Sequence, residues 1–534
     1  MLVAPWALAG TWYEPDELVR VDDPAHPDAI ARSATGAILV GPPEDGIPYR
    51  SVVVPEIDRV EVSAPAAEAL DVVGARSWHA DGVRGEGVKV AVFDSNWFVG
   101  ETDPVEVQPF QTHDCFASAT CEVAFDLTRP ALTNESGAHG WACAEVVRDL
   151  APDAEVHLVR VNSLTAYENA VDWAIREGVD VISMSMSYYN QSFYDGTGPQ
   201  AELVERLVGA GVLLVTSAGN TADQHWAGRY LDVDGDGRMD VDGEPGLYTW
   251  LGEGSATVYL NWDERDACGR TDLWAQLVDE RGWVLDRNDD PQDPDDDDCE
   301  PYERLRATVA STGWYRIEVG TTRGDATGLA IDLLSRDGIV SPFVPEGSVT
   351  DPAAHPLAFA VGAVRASDYL AGDLQSYSSW GPNHAGAMRP DIAGPDGLST
   401  ATYGPTGFFG TSASTPVVAG MVALVLSDDP SLTPREAAER LQGWARTDRP
   451  AVGPDPRWGA GKARLPRRDP RATGCGRGPL LLGFLPMLLV GVPWRWPARP
   501  ARGAAADARV VRRRTHGAWR GEGRSARPGG DRRV

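Results

Sequence analysis

The sequence predicts an α/β fold, a doubly wound parallel sheet carrying an inserted antiparallel β-sandwich. Three observations support this. Short apolar runs alternate along the chain with amphipathic stretches of helical period, the pattern of parallel strands covered by helices on both faces. Polar residues capable of chemistry end several of those runs, where open parallel sheets place their ligand sites. A block from about Gly246 to Asp337 loses the helical period and alternates with period two, splitting the α/β pattern into two halves.

In order, Val88–Ser95 is a short apolar run ending in an acid, so it reads as a buried parallel strand with Asp94 at its C-terminal end. Ser136–Glu145 is a small-residue stretch opening a helix, with His139 near its start. Glu155–Val161 reads as a strand, Leu164–Glu177 as an amphipathic helix, Val179–Met184 as a strand and Glu202–Val208 as a helix. Gly211–Asn220 is a further strand ending in a side-chain amide, and Phe359–Val364 resumes the sheet after the insert. Gly410-Thr411-Ser412-Ala413-Ser414-Thr415-Pro416 then turns into the apolar run Val417–Leu426, a buried helix. Pro416 is expected in the first turn of that helix, where no N–H partner is lost. Within the insert, Thr257–Trp262, Leu273–Leu277 and Tyr315–Val319 alternate, and Asp279–Gly282 supplies a turn.

Taken singly, each polar residue has a plainer account. An Asp ending a strand is usually a turn residue, a lone His is usually surface or core, and Ser or Thr commonly caps a helix. The four together, in the order Asp94, His139, Asn220, Ser412 and each at a strand end or helix start, fit nucleophilic catalysis better. A serine at a helix N-terminus faces unpaired N–H groups and the positive end of the dipole, which favour an anion forming beside it.

These motifs resemble the subtilisin-like serine peptidases, the subtilases (peptidase family S8), over roughly Val73 to Asp448; the Gly-Thr-Ser-x-x-x-Pro and Ser-Ala-Gly-Asn elements are the specific ones. The resemblance implies a serine endopeptidase with catalytic Asp94, His139 and Ser412, and Asn220 as oxyanion donor. It also implies substrate contacts from the strand edge Ser185-Met186-Ser187 and the pocket segment Ser217-Ala218-Gly219. Several positions depart from the family pattern. Asn96 stands where a Gly is usual and is expected to tolerate a left-handed turn. Ala142 replaces a second His, Glu145 a Gly, and Ser187 and Tyr188 two glycines of the strand edge, where they are expected to narrow the cleft. The alternative is a catalytically inactive subtilase fold acting as a binding or adhesion module. The insert resembles jelly-roll modules of secreted peptidases, with substrate binding and stiffening as its two open roles.

The chain has 534 residues and a formal charge of −30. From Arg457 onward it carries 19 basic and 4 acidic residues, a charge of +15, so the remaining body is at −45 and suggests no nucleic-acid partner. Asp232, Asp234, Asp236 and Asp240 place oxygens at alternating positions around Gly237, as in a calcium loop, although the twelfth position is Gly243 rather than Glu. A structural Ca²⁺ is therefore expected there, and no cofactor is expected for the chemistry. Cys115 with Cys121 and Cys268 with Cys299 are candidate disulfides, which suit an oxidising compartment, and Cys143 is expected to be a small core residue.

The boundaries read as a truncated signal peptide over 1–9, a propeptide or extension over 10–69, catalytic halves over 70–245 and 338–450, and the sandwich over 246–337. A linker over 451–474 precedes a segment over 475–497, where Cys475, an apolar run and an Arg-rich tail (498–534) resemble a C-terminal sorting signal. The expectation is a monomer, secreted or on the outer surface of a Gram-negative cell, with protein or peptide substrates and transient membrane association through the C-terminal segment.

Overall fold

The computed structural model describes residues 67–98, 110–125, 127, 138–161, 163–265, 269–292, 300–446 and 455–468, with six short strands between positions 6 and 48. Of these six, β1 (Trp6–Leu8) pairs with β2 (Thr11–Tyr13). The others, β3 (Leu18–Val21), β4 (Ala31–Ser33), β5 (Gly36–Val40) and β6 (Ile47–Pro48), make a four-stranded antiparallel sheet. The segment expected as a leader thus supplies β1. The C-terminal sorting segment and tail lie outside the described residues.

The first α/β half contains α1 (Ala67–Val73), α2 (Ala75–Ala80), β7 (Lys89–Asp94), β8 (Gln111–Asp114), α3 (His139–Leu150), β9 (Glu155–Arg160), α4 (Leu164–Glu177), β10 (Val181–Met184), α5 (Pro199–Gly209) and β11 (Leu213–Ser217). The insert follows as β12 (His225–Arg229), β13 (Asp240–Val241), β14 (Glu244–Pro245), β15 (Leu247–Leu251), β16 (Gly254–Trp262), β17 (Asp272–Val278), β18 (Val284–Asn288), β19 (Tyr302–Val309), β20 (Gly313–Arg323), β21 (Ala330–Ser335) and β22 (Gly338–Ser341). The second half has β23 (Phe359–Arg365), β24 (Ile392–Asp396), the hairpin β25 (Leu398–Thr400) and β26 (Gly404–Phe408), α6 (Thr411–Asp428) and α7 (Pro434–Trp444).

The main sheet has the order β24-β23-β11-β10-β7-β9-β8, and every neighbouring pair is parallel. Alternation along β7 sorts its side chains to two cores: Val90 and Val92 pack with α1, α3, α6 and α7, while Ala91 and Phe93 pack with α4 and α5. Both faces are therefore covered, as the apolar runs predict. Helix α6 is buried almost throughout, which explains why its run is apolar on all sides.

Three expectations need correction. The sandwich runs from β12 to β22, not from Gly246: its sheets, β12-β21-β16-β19 and β18-β17-β20-β15-β22, share one core that includes Trp226 and Val340. Strand β12 escapes a local reading because its partner in the sheet, β21, lies about a hundred positions away, as in Trp226↔Leu333. The acidic Asp232 loop is consequently inside the insert rather than before it. The linker expected over 451–474 is partly core: Lys462 bridges to Ala393 and Arg446, and Ala463 and Leu465 are buried, with the Leu465 N–H on Val73 O at 2.8 Å. Its Gly, Pro and Arg content hides that packing. Pro416, finally, sits inside α6 as its sixth residue rather than in the first turn.

Candidate active site

The parallel sheet brings the C-terminal ends of β7 and β11 together with the N-termini of α3 and α6, and so collects Asp94, His139, Asn220 and Ser412. Asp94 is 1% exposed. Its Oδ2 lies 2.7 Å from His139 Nδ1, and its Oδ1 accepts the Asn96 N–H at 3.0 Å. The Trp97 indole N–H donates to the Asp94 carbonyl at 2.9 Å, and the Gly140 N–H donates to Asn96 O at 2.8 Å. A Cβ at Gly140 would lie 2.6 Å from Asp94 Cβ, so only glycine after His139 lets helix α3 seat the imidazole against the carboxylate. Asn96 has no positive φ, so the expected left-handed turn is not formed; its backbone instead ties Asp94 to Gly140.

The carboxylate fixes the His139 tautomer, with Nδ1–H donating to Asp94 and the lone pair left on Nε2. Burial disfavours the charged imidazole, but the Asp94 charge and hydrogen bond outweigh it and raise the His139 pKa above the usual value. The edge of the His139 ring meets Phe408, with centroids 5.8 Å apart.

Ser412 is the second residue of α6 and is partly exposed. Pro416 has no N–H to give to the Ser412 carbonyl four residues back. Two side chains take its place: the Ser185 hydroxyl donates at 3.0 Å and the Cys143 thiol at 3.7 Å. Burial, with the Asp94 charge adding to it, pushes the Cys143 thiol well above its usual pKa and keeps it a donor. Cys143 lies one helical turn beyond His139, so the same face of α3 carries the imidazole and grips the Ser412 backbone.

Asn220 Oδ1 accepts the Thr411 N–H at 2.9 Å and the Thr411 hydroxyl at 3.0 Å. That pins the amide and assigns Nδ2 as the outward donor. Beneath this turn, the Gly410 N–H donates to Asp396 Oδ2 at 3.1 Å, and the Tyr377 hydroxyl donates to the same oxygen. Burial raises Asp396 to a pKa of about 6, with Tyr377 and Gly410 opposing it.

The sequence reading misses Asp396 and Tyr377, because Ala-Gly-Pro-Asp-Gly looks like an ordinary turn. It also misses the purpose of Glu145. That carboxylate accepts the Ala401 N–H at 3.0 Å and the Thr402 hydroxyl at 3.2 Å, bracing the β25–β26 hairpin that carries Phe408.

The expected cleft residues are placed as follows. Ser185 is held against Ser412, and Met186 packs against the core under α4. Tyr188 does not narrow the cleft: its ring stacks on Tyr167 at 5.8 Å, and its N–H donates to Asp351 O at 2.9 Å. Tyr189 stacks on Tyr259 of the insert at 4.9 Å. Ser217 and Ala218 are buried, and the Gly219 N–H reaches the Thr411 hydroxyl at 3.3 Å. Asp232, Asp234 and Asp236 converge, with ligand atoms within 4.8 Å of one another, whereas Asp240 stands apart with its Oδ2 on the Val233 N–H at 2.7 Å. Cys115 and Cys121 are joined in a disulfide, and Cys143 is free and buried. Cys268 and Cys299 lie outside the described residues.

The family model described as the Subtilase family matches residues 85–236 and 342–461, just over half of the chain; its first block runs past β12 and its second resumes directly after β22, so the gap takes out all of the sandwich but its first strand. The chain belongs to the subtilase family. Among curated relatives, this subtilase is 26% identical over 208 residues to the thermostable alkaline protease of Halalkalibacterium halodurans, a match covering 36% of this chain and 53% of that protein. It is 36% identical over 134 residues to subtilisin E of Bacillus subtilis, covering 24% of this chain and 33% of the relative. The chain thus spans about half of the first of these and a third of the second. Among solved structures, the CspB protease of Clostridium perfringens shares the fold with a TM-score of 0.51 at 16% identity, over 74% of this chain and 98% of that one.

Proposed function

We propose that this subtilase is a serine endopeptidase that cleaves protein or peptide substrates through an acyl-enzyme. The observation that carries this is the pairing of buried Asp94 with His139 at 2.7 Å, on a helix whose Cys143 thiol reaches the carbonyl of Ser412 in the first turn of α6 at 3.7 Å. In this reading Ser412 Oγ attacks the scissile carbonyl carbon while His139 Nε2 takes the hydroxyl proton. The C=O π electrons move onto oxygen, and Asn220 Nδ2–H and the Ser412 N–H donate to the oxyanion. Collapse breaks the C–N bond, His139 returns the proton to the leaving amine, and an ester remains on Ser412. Water, deprotonated by His139, then releases the acid.

Asp232, Asp234 and Asp236 offer converging carboxylate oxygens, a donor set suited to a hard cation, so a structural Ca²⁺ belongs on the insert in this proposal, with Asp240 shaping the loop. The disulfide supports an oxidising destination, secreted or at the outer cell surface, with the C-terminal segment as a transient membrane attachment and the protein a monomer.

Fluorophosphonate labelling of the full chain tests the activity, with Ser412→Ala as control. Labelling that vanishes in the variant supports it. A folded protein that never labels overturns it and leaves the binding-module alternative.

A further inference from the structure

The joint between the insert and the catalytic half holds a second cluster that the triad does not use. His225 comes from β12, Asp332 from β21, and His384 from the loop before β24. All three are on different segments, and two of them are from the sandwich. Asp332 is 0% exposed and His225 1% exposed. One oxygen, Asp332 Oδ2, lies 2.7 Å from His225 Nε2 and 2.6 Å from His384 Nε2. The other, Oδ1, is buried without a hydrogen-bond partner. The three donor atoms thus aim at one point instead of spreading over the carboxylate.

Proton counting shows what that point suits. His225 Nδ1 lies 2.5 Å from the Val344 carbonyl oxygen, which can only accept, so Nδ1 carries a proton. In the neutral ring Nε2 is then a lone pair facing an anionic oxygen, so the contact calls for a positive charge between them, which a second proton or a metal ion supplies. A backbone carbonyl on the far ring nitrogen is also the usual device that orients a metal-binding histidine. The surroundings leave room for both rings: Gly347 has φ +84°, and a Cβ there would lie 3.1 Å from His384 Cε1. Phe193 stacks on His384 at 4.5 Å and holds its plane.

We propose that His225, Asp332 and His384 bind a divalent transition metal of the zinc type, which staples the inserted sandwich to the catalytic half. Two imidazoles and a carboxylate are borderline ligands suited to zinc rather than calcium. Ligand atoms of a tetrahedral zinc sit about 3.3 Å apart, so these need to open by only about 0.7 Å to admit it. The remaining coordination position is left for water, whose hydrogen can reach Asp332 Oδ1.

The test uses the full chain, purified without chelator. Metal analysis is expected to give about one zinc per chain, falling at least tenfold in His384→Ala and in the milder His384→Gln. Cobalt added to chelator-stripped protein is expected to give the intense visible bands of a tetrahedral site, absent from both variants. His139→Ala controls for another histidine-containing donor set, Asp94, His139 and Cys143, and is expected to keep its zinc and its cobalt bands. A wild-type protein, folded by circular dichroism, that carries no zinc and gives no cobalt bands would overturn the proposal. So would zinc retained by folded His384 variants and lost from His139→Ala.

Discussion

Ser185→Ala tests the least expected feature of the site, the replacement of a helical hydrogen bond by side chains. In the native chain Pro416 leaves the Ser412 carbonyl to the Ser185 hydroxyl at 3.0 Å, with the Cys143 thiol a weaker second donor at 3.7 Å. Ser185 is 8% exposed, so water does not readily replace the lost hydroxyl. Leaving a buried acceptor unsatisfied costs about 1–3 kcal/mol, and the remaining thiol places the loss in the lower half, about 1–2 kcal/mol. Pro416→Ala returns an N–H that can reach the same carbonyl. In that background Ser185→Ala should cost less than about 0.5 kcal/mol, a coupling of about 1 kcal/mol. The cycle is measured by urea unfolding in a Ser412→Ala background, which removes self-digestion. Additive effects within about 0.5 kcal/mol would show that the proline and the serine do not share one carbonyl, and the account of how Ser412 is held would fail.

Further outcomes are expected. Asn220→Ala lowers kcat by about 10²–10³-fold with KM little changed, measured by peptide hydrolysis, because its amide is fixed by Thr411 and is the oxyanion donor of the proposed mechanism. The acid limb of kcat/KM lies above the ordinary histidine value, since Asp94 raises His139, and Asp94→Asn cuts kcat by about 10⁴-fold. The stability linked to that histidine has the opposite sign: it is fully present below the unfolded pKa and is lost as pH rises through the raised folded pKa, as urea titrations across that window will show. A calcium chelator lowers the melting temperature of the wild type but not of Asp234→Asn, whose carboxylate is one of the three that converge.

The inner strands β7, β9, β10, β11 and β23 were legible because both faces of the sheet are buried and their runs are apolar, and α4 occupies Leu164–Glu177 as read, whereas the edge strands β8 (Gln111–Asp114) and β24 (Ile392–Asp396) carry no such run and are missed. The positions of Asp94, His139, Asn220 and Ser412 were legible for the same reason, each being fixed by an element end. Illegible were contacts whose partners are remote in sequence. Strand β12 pairs with β21, Glu145 with the Ala401 turn, and Leu465 with Val73. No local period or composition records such pairs. Tyr188 was misjudged likewise: its bulk is evident, but the sheet side it takes depends on Tyr167 and Asp351.

The site of insertion bears on how the sandwich affects catalysis. The chain leaves the catalytic half just after Asn220 and re-enters before Val349, so the amide proposed to hold the oxyanion sits at the root of the insert. Rigid joints separate the two. The Thr221 hydroxyl donates to Ser348 O at 3.0 Å, tying the outgoing strand to the returning one. The Thr221 N–H meets Ser379 Oγ at 3.1 Å. A few residues on, His225 is tied to Val344 O and to Asp332, which also holds His384 of the catalytic half. These contacts are buried, so breaking any of them exposes or orphans polar groups at a cost of about 1–3 kcal/mol each. Motion of the sandwich is therefore damped before it reaches Asn220. Loosening this joint should lower kcat through oxyanion stabilisation while leaving the Asp94–His139 pair, anchored on β7 and α3, undisturbed.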